Sequence, residues 1–259
     1  MYSLINNILM EEIMDNVIDL YNFDFTDKVV LEIGTGRGGT TIELVKILQN
    51  FNGAKLITTD IYDGNFESIK EKISNYKVPV SFVRTDACEL AGIEEDSIDF
   101  IVCNYTICAI NSRSGRGVIA LNKFKKVLKV GGKLYIEEEY PITDINNPMQ
   151  EVWAKKWRLL KSVNMFLGEL PYNEIEPEIL KDILEILEFK DVKVESSPER
   201  ILGEDCLEFF NYRFKILLNR MKNLEIIQGL IKEEENLQDF VKKTKGMEIP
   251  VYKIMAVKE

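Results

Sequence analysis

The residue types with the most chemical content sit in one short run, Val29-Val30-Leu31-Glu32-Ile33-Gly34-Thr35-Gly36-Arg37-Gly38-Gly39-Thr40-Thr41. An apolar, strand-like stretch ends in an acid and a glycine-dense turn, and a helix-like stretch from Thr40 to Leu48 follows at once. Glycine at alternate positions lets the backbone bend tightly and admits a ligand with no Cβ in the way. The first turn of the following helix points free N–H groups toward that ligand. Asp60 and Asp86 close two further apolar runs. Together these residues read as a site for a nucleoside-containing small molecule. Asn104-Tyr105 and Glu137-Glu138-Glu139-Tyr140 close two more runs. The chain has no histidine, which removes the commonest general base and the commonest zinc ligand together. Any proton acceptor is then a carboxylate, a tyrosine or a lysine. Glu139 and Tyr105 are the catalytic candidates, Glu139 first because it lies furthest along its run.

The elements that must position these groups follow from periodicity. Apolar runs near 28–33, 55–60, 79–84, 97–103 and 132–138 read as strands, with helices near 40–50, 64–75 and 115–128 between them. Runs apolar on both faces suit a parallel sheet buried by helices on each side. Glu174 to Leu187 predicts another helix, Asp191 to Glu195 a sixth strand, and Ile249 to Val257 the last strand, with Pro250 at its start. Leu9, Ile13, Val17 and Leu20 recur at helical spacing and predict an amphipathic N-terminal helix. Two stretches exceed a minimal fold of this kind. Residues 141–173 carry Trp153 and Trp157 one helical turn apart, and residues 202–246 place Leu207, Phe210, Phe214, Leu217, Met221 and Leu224 on one helical stripe. That stripe reads as core packing, or as a lid over a substrate pocket, or both. The organisation is then an N-terminal helical cover over 1–27, a ligand-binding core over 28–140, an insertion and lid over 141–173, and the remainder of the core over 174–259 with its own helical insertion at 202–246. Glu137 and Glu139 fall on one face of their strand and Glu138 on the other.

Gly34-x-Gly36-x-x-Gly39 with Asp60 downstream satisfies the dinucleotide fingerprint of nicotinamide-dependent oxidoreductases. Glu32-x-Gly34-x-Gly36-x-Gly38 resembles instead the first motif of class I S-adenosylmethionine (SAM)-dependent methyltransferases. Leu56–Ile61, Val80–Ala87, Ser97–Asn104 and Leu128–Ile136 resemble that family's later strand motifs, in order and at family spacing over 28–140. The resemblance implies a Rossmann-like, doubly wound α/β fold: a seven-stranded, mostly parallel sheet with an antiparallel last strand, interrupted here by helical insertions. It implies SAM as cofactor, with Gly34, Thr35 and Gly36 at its amino-acid end and Glu32 orienting it. Asp60 would accept from the ribose hydroxyls, Ile61 pack on adenine, Asp86 accept from the adenine amine with the Ala87 N–H on a ring nitrogen, and Asn104 sit beside the methyl donor. Asn104-Tyr105-Thr106-Ile107 lacks the prolines of the Asn/Asp-Pro-Pro-aromatic motif that family members methylating nucleic acids and glutamine carry. Metal-dependent members place acids after strands four and five; Asp144, Asn146 and Asn147 offer a later set, but Asn104 is a poor stand-in for the first acid, and no metal is expected. The implied activity is methyl transfer to a small molecule. A protein methyltransferase, a non-catalytic SAM-binding module and a nicotinamide-dependent oxidoreductase are the alternatives.

Composition sets limits on partners. The chain has 259 residues, 46% hydrophobic and 29% charged, ordinary values for one globular catalytic domain with additions. With 43 acidic against 33 basic residues, its net charge of −10 repels phosphate backbones. Cationic or neutral small molecules are the expected substrates, and nucleic acid is not. The four cysteines, Cys88, Cys103, Cys108 and Cys206, lack metal-ligand pairing, and their scatter suggests a reducing cytoplasm. The first residues lack the basic start and unbroken apolar core of a signal peptide, and no apolar run reaches membrane-spanning length.

Overall fold

A computed structural model describes residues 18–112, 115–142, 144–170 and 172–259. The helix expected over Leu9 to Val17 lies outside the described residues; Leu20 belongs to a short 3-10 turn, Leu20–Asn22. The strands of the main sheet are β1 (Val29–Ile33), β2 (Lys55–Asp60), β3 (Val80–Arg84), β4 (Ile98–Asn104), β5 (Leu128–Glu139), β6 (Phe189–Ser196) and β9 (Val251–Lys258), with β7 (Glu199–Leu202) and β8 (Gly246–Ile249) forming a separate pair. The seven run in the order β3-β2-β1-β4-β5-β9-β6. The β1–β5 neighbours pair in parallel, and β9 lies antiparallel to both β5 and β6. This is the Rossmann-like sheet with an antiparallel last strand that the motif order implies. The strand order reverses between β1 and β4, so a crevice opens at their carboxyl ends, where open α/β sheets bind ligands.

The helices are α1 (Gly39–Leu48), α2 (Phe66–Ile73), α3 (Ile107–Asn111), α4 (Arg116–Val127), α5 (Pro148–Phe166), α6 (Pro177–Ile186), α7 (Glu208–Leu218) and α8 (Leu224–Thr244). Alternation along the strands divides the sheet's side chains between two cores. Leu31, Ile101, Leu134 and Ile254 face Leu121 and Phe124 of α4 and Leu180 and Leu184 of α6. Val30, Phe100 and Val102 face Leu44, Val45 and Leu48 of α1 and Ile69 of α2.

The two segments beyond the minimal fold meet in a third core. Trp153, Trp157 and Leu160 of α5 pack with Phe210 and Phe214 of α7, Leu237 and Val241 of α8, and Met247 of β8. The Asn147 carboxamide starts α5 by accepting from the N–H groups of Met149 and Gln150, with Pro148 at the first helical position. The structure departs from the sequence reading at β7 and β8. Ile249 pairs with Glu199 in this second sheet, not in the last strand of the main one. Pro250, which has no N–H to offer either ladder, separates β8 from β9, and its carbonyl accepts from the Tyr140 N–H at 2.9 Å. β5 also starts four residues earlier than expected, running through Gly131-Gly132 with a register shift opposite Ile98 and Phe100.

Candidate functional site

Two cavities adjoin at the carboxyl edge of the sheet. The first, about 450 Å³, is bounded by Gly34, Gly36, Asp60, Ile61, Asp86 and Ala87, with Tyr105 and Arg116 closing its sides. The glycine turn after β1 builds its floor. Gly34 has φ +87°, and a Cβ there would stand 2.2 Å from the Thr106 Oγ1, so both the backbone twist and the close approach of the loop after β4 require glycine. The N–H groups of Gly34 and Thr35 are donated to the Thr59 carbonyl at 2.8 and 2.9 Å, tying the turn to β2. The Thr35 side chain is buried, its hydroxyl 2.5 Å from that of Thr58. Asp60 leans over the turn: its Oδ2 accepts from Gly36 N at 2.8 Å and its Oδ1 from Tyr62 N at 2.9 Å. Beside it Ile61 is 61% exposed on the cavity wall.

Glu32 stands behind the turn, 1% exposed. Its Oε2 accepts from the Thr41 hydroxyl at 2.7 Å, the Thr58 hydroxyl also favours its charged form, and its Oε1 has no hydrogen-bond partner among the described residues. Burial pushes this carboxyl up to about 7, against the hydrogen bonds that favour its charged form. Asp86 behaves oppositely. Burial alone would raise it, but the Cys88 N–H at 2.8 Å and the Arg116 guanidinium at 2.5 Å hold it below the usual carboxylate range. Among the described residues, the buried side-chain oxygens and nitrogens without a partner are Glu32 Oε1, Thr85 Oγ1 and Asn104 Oδ1. They fall at the ends of β1, β3 and β4, around one crevice. Unpaired buried polar atoms are costly, and a polar ligand spanning the three strand ends would satisfy them. The donor set therefore fits a nucleoside cofactor.

The second cavity, about 620 Å³, shares Tyr105 with the first and is bounded by Asn104, Glu137, Glu139, Lys156, Glu199 and Lys253 among others. Strand alternation places the acidic run as expected. Glu137 and Glu139 line this cavity, while buried Glu138 turns to the other face, where its Oε1 accepts from Cys108 N at 3.3 Å. Burial raises the Glu138 carboxyl to about 8. Glu137 accepts from the Tyr105 hydroxyl at 2.9 Å and from the Tyr135 hydroxyl at 2.5 Å. The Tyr105 hydroxyl also lies 3.2 Å from Glu199 Oε1. Both indole N–H groups, of Trp153 and Trp157, donate to Glu139 Oε2. Tyr105 holds φ +48°, a left-handed conformation costly for a side chain of its size. Burial, then the charges of Glu137 and Glu199, raise its hydroxyl far above the ordinary tyrosine value. Tyr105 is thereby a donor that fixes two carboxylates. Tyr140 meets Tyr252 edge-on with ring centres 5.2 Å apart and lines neither cavity. Asn147, considered as a metal ligand, caps α5 instead, and no cluster of three or more acids or cysteines that could hold a metal occurs among the described residues.

Of the residues singled out by sequence, Gly34, Gly36, Asp60, Ile61, Asp86 and Ala87 gather on the first cavity, Glu139 and Asn104 on the second, and Tyr105 on both. Glu32 and Thr35 lie buried beneath the turn. Sequence reasoning passed over Thr85, Arg116, Lys156 and Glu199. Lys156 had one available signal, its position between Trp153 and Trp157 on a helix that otherwise buries apolar groups.

Residues 31–136 match the family described as a methyltransferase domain. Over that stretch, about two fifths of its length, the chain carries a methyltransferase domain, and SAM-dependent methyltransferases are what it is similar to in sequence and in fold. Curated relatives include a highly reducing polyketide synthase of Purpureocillium lilacinum, 31% identical over 43% of this chain and 4% of that protein. Another, from Emericella nidulans, is 34% identical over 42% of the chain and 4% of the relative. The chain thus spans only a small fraction of these relatives' length. Among solved structures, the YcgJ protein from Bacillus subtilis superposes with TM-score 0.58 at 16% identity, over 92% of this chain and 94% of that one. Phosphoethanolamine N-methyltransferase 2 from Haemonchus contortus, solved with S-adenosylhomocysteine and phosphomonomethylethanolamine, gives 0.56 at 18%, over 92% and 50%. At such identities the likeness speaks for the fold. No helix among the described residues is long and apolar enough to cross a membrane.

Proposed function

We propose that this protein transfers the methyl group of SAM to a small-molecule acceptor seated in the larger cavity. The observation that carries the reading is the junction of the two cavities at Tyr105, with the unpartnered oxygen of Thr85 on one side, that of Asn104 on the other, and that of Glu32 buried behind the turn. When bound, SAM supplies a methyl on a sulfonium that departs as a neutral thioether, so little charge needs stabilising on the leaving side. The protein's contribution is then mainly positioning and exclusion of water, effects worth up to roughly 7–11 kcal/mol in well-oriented reactions.

Each residue has a part in this. Glu32 and the turn Gly34-Thr35-Gly36 hold the amino-acid end of the cofactor. Asp60 accepts from the ribose hydroxyls and Ile61 packs on adenine. Asp86, fixed by Arg116, accepts from the adenine amine, with the Ala87 N–H on the ring. Asn104 offers its oxygen beside the methyl donor. Residues 141–173 and 202–246 form the lid: α5 contributes Lys156, and the second segment contributes Cys206, Phe209 and Met247 to the cavity wall. The net charge of −10 and the acids around the cavity weigh against nucleic acid as acceptor. Calorimetry with SAM, S-adenosylhomocysteine and NAD tests the cofactor assignment: the first two should bind and NAD should not. Tight NAD binding without SAM binding would overturn the reading.

A further inference from the structure

The walls of the larger cavity carry a distribution of charge that narrows the class of acceptor. Asp19, Glu43, Glu137, Glu139 and Glu199 line it against two amines, Lys156 and Lys253. Among the described residues, none of these seven takes part in an ion pair within 4.0 Å, although thirteen such pairs occur elsewhere in the molecule. Neutral groups hold the carboxylates instead: tyrosine hydroxyls on Glu137 and Glu199, indole N–H groups on Glu139. A neutral donor fixes the direction of a carboxylate and leaves its charge in place. These charges work against one another, for after burial itself it is Glu137 that most raises the carboxyls of Glu43 and Glu199. A cation entering the cavity would relieve that repulsion.

Lys156 is an independent observation pointing the same way. It is 4% exposed, lines the cavity, and its side chain has neither a hydrogen bond nor an ion pair among the described residues; its amine lies 4.7 Å from the centre of the Trp157 ring. Facing it are Glu139 from β5 and Cys206 from the 3-10 turn before α7, with Glu137, Glu199 and Lys253 elsewhere on the cavity wall. Burial lowers its pKa, and the attraction of Glu139 opposes the change only in part. A buried amine with no anion bound to it gives up its proton readily, and a neutral lysine offers a lone pair.

We infer that the acceptor is a small amine that enters as a cation drawn to Glu137, Glu139 and Glu199, and that Lys156 receives the proton its nitrogen must lose. This rests on the methyl-transfer reading above. The balance is simple. One ammonium N–H proton passes to Lys156 Nζ. The freed nitrogen lone pair then forms the N–C bond to the methyl carbon as the C–S bond breaks, and that electron pair stays on sulfur. The positive charge moves from sulfur to the methylated nitrogen, and Lys156 returns its proton to solvent.

The full chain is incubated with methyl-labelled SAM and three size-matched sets of probes: arylalkyl amines including phenethylamine, the corresponding alcohols and phenols, and the corresponding carboxylic acids. Label should enter the amine set alone. For the amine that responds, Glu199→Gln should raise KM about 10-fold or more at unchanged SAM affinity, and Lys156→Gln should lower kcat about 100-fold with little change in KM. Label in the alcohols or acids, an unlabelled amine set in protein that binds SAM by calorimetry, or wild-type KM in Glu199→Gln would each overturn the assignment of the acceptor. Wild-type kcat in Lys156→Gln would remove that residue as proton acceptor; should that variant fail to fold, the probe sets and Glu199→Gln decide the matter. Absence of SAM binding would overturn the methyl-transfer reading itself.

Discussion

Replacing Glu32 by Gln tests whether the carboxyl behind the glycine turn is held against its own folding preference. The group is 1% exposed, with Thr41 on one oxygen and, among the described residues, no hydrogen bond within 3.5 Å to the other. Its pKa rises from 4.5 to about 7 because burial disfavours the charged form. A carboxyl whose folded value lies above its unfolded one favours folding while protonated. That contribution is complete below pH 4.5 and is lost as pH rises through about 7. The gap between those values, at about 1.4 kcal/mol per pH unit, amounts to roughly 3 kcal/mol lost by pH 8. Glutamine keeps the shape, accepts the Thr41 hydroxyl through its carbonyl and never ionises. Its amide N–H₂ has no acceptor, which returns about 1 kcal/mol of cost. The variant should therefore be about 2 kcal/mol more stable than wild type at pH 8, or about 4–8 °C higher in Tm for a chain of this size, and close to wild type at pH 5. Thermal melts of both proteins without ligand from pH 5 to 8 measure this. On the proposed reading, in which Glu32 helps to hold the amino-acid end of the cofactor, the same variant should also bind SAM more weakly. Two Tm-against-pH curves that run parallel across the whole range would refute the argument, because they would place no ionisation at Glu32 in that window.

Three further outcomes follow from the geometry. Asp60→Ala should weaken SAM binding by about 1.5–3 kcal/mol, roughly 10- to 150-fold in Kd by calorimetry, as charge-assisted hydrogen bonds to the ribose are lost; unchanged affinity would remove Asp60 from the site. Glu139→Gln should mainly raise KM for the acceptor, because the Glu139 oxygen that binds both indole N–H groups is a poor proton acceptor; a fall in kcat of about 100-fold at constant KM would restore Glu139 as the base. Tyr105→Phe removes the hydroxyl that orients Glu137 and Glu199 and should cost about 0.5–1.5 kcal/mol, or about 2- to 10-fold, in acceptor KM. Steady-state kinetics indistinguishable from wild type would show that neither carboxylate depends on it.

The parts of the molecule legible in the sequence are those with a period. Runs such as Ile98–Cys103, apolar on both faces, mark central parallel strands, and Gly34 and Gly36 mark a turn that side chains would obstruct. Of the stripe Leu207, Phe210, Phe214, Leu217, Met221 and Leu224, the first four are buried against α5 and α8, as their spacing implies. But α7 ends at Leu218, so Met221 falls in the turn and Leu224 opens α8 as an exposed residue. Strands of four residues carry no readable period, so β7 and β8 were invisible, and Ile249 was assigned to the wrong sheet. Pro250 marked the correct place for a break without saying which side each neighbour belonged to. The partners of ionisable groups were not legible either. Arg116 reaches Asp86 across 30 positions, and Glu199 reaches Tyr105 across 94. Such pairings are set by how the helices and strands pack, which no local pattern records.

The acidic run at the end of β5 shows how two sequence features become one device. By charge alone, Glu137-Glu138-Glu139 reads as a solvated rim, and Trp153 and Trp157 belong to a separate insertion. The pleat of β5 sends Glu138 beneath the sheet to hold the start of α3, and sends Glu137 and Glu139 into the cavity. A partly buried carboxylate there needs donors, and a basic donor would cancel its charge. Two indoles one helical turn apart supply N–H groups without a counter-charge, and their rings fill the core that anchors α5 to α7 and α8. On the proposed reading the insertion walls the cavity while leaving its carboxylates aimed inward without a basic partner. Lys156, between the two tryptophans, is carried to the same wall by the helix that places them. Positioning of a carboxylate and a proton acceptor would then come from one segment, which makes 141–173 a stretch where acceptor specificity should change readily.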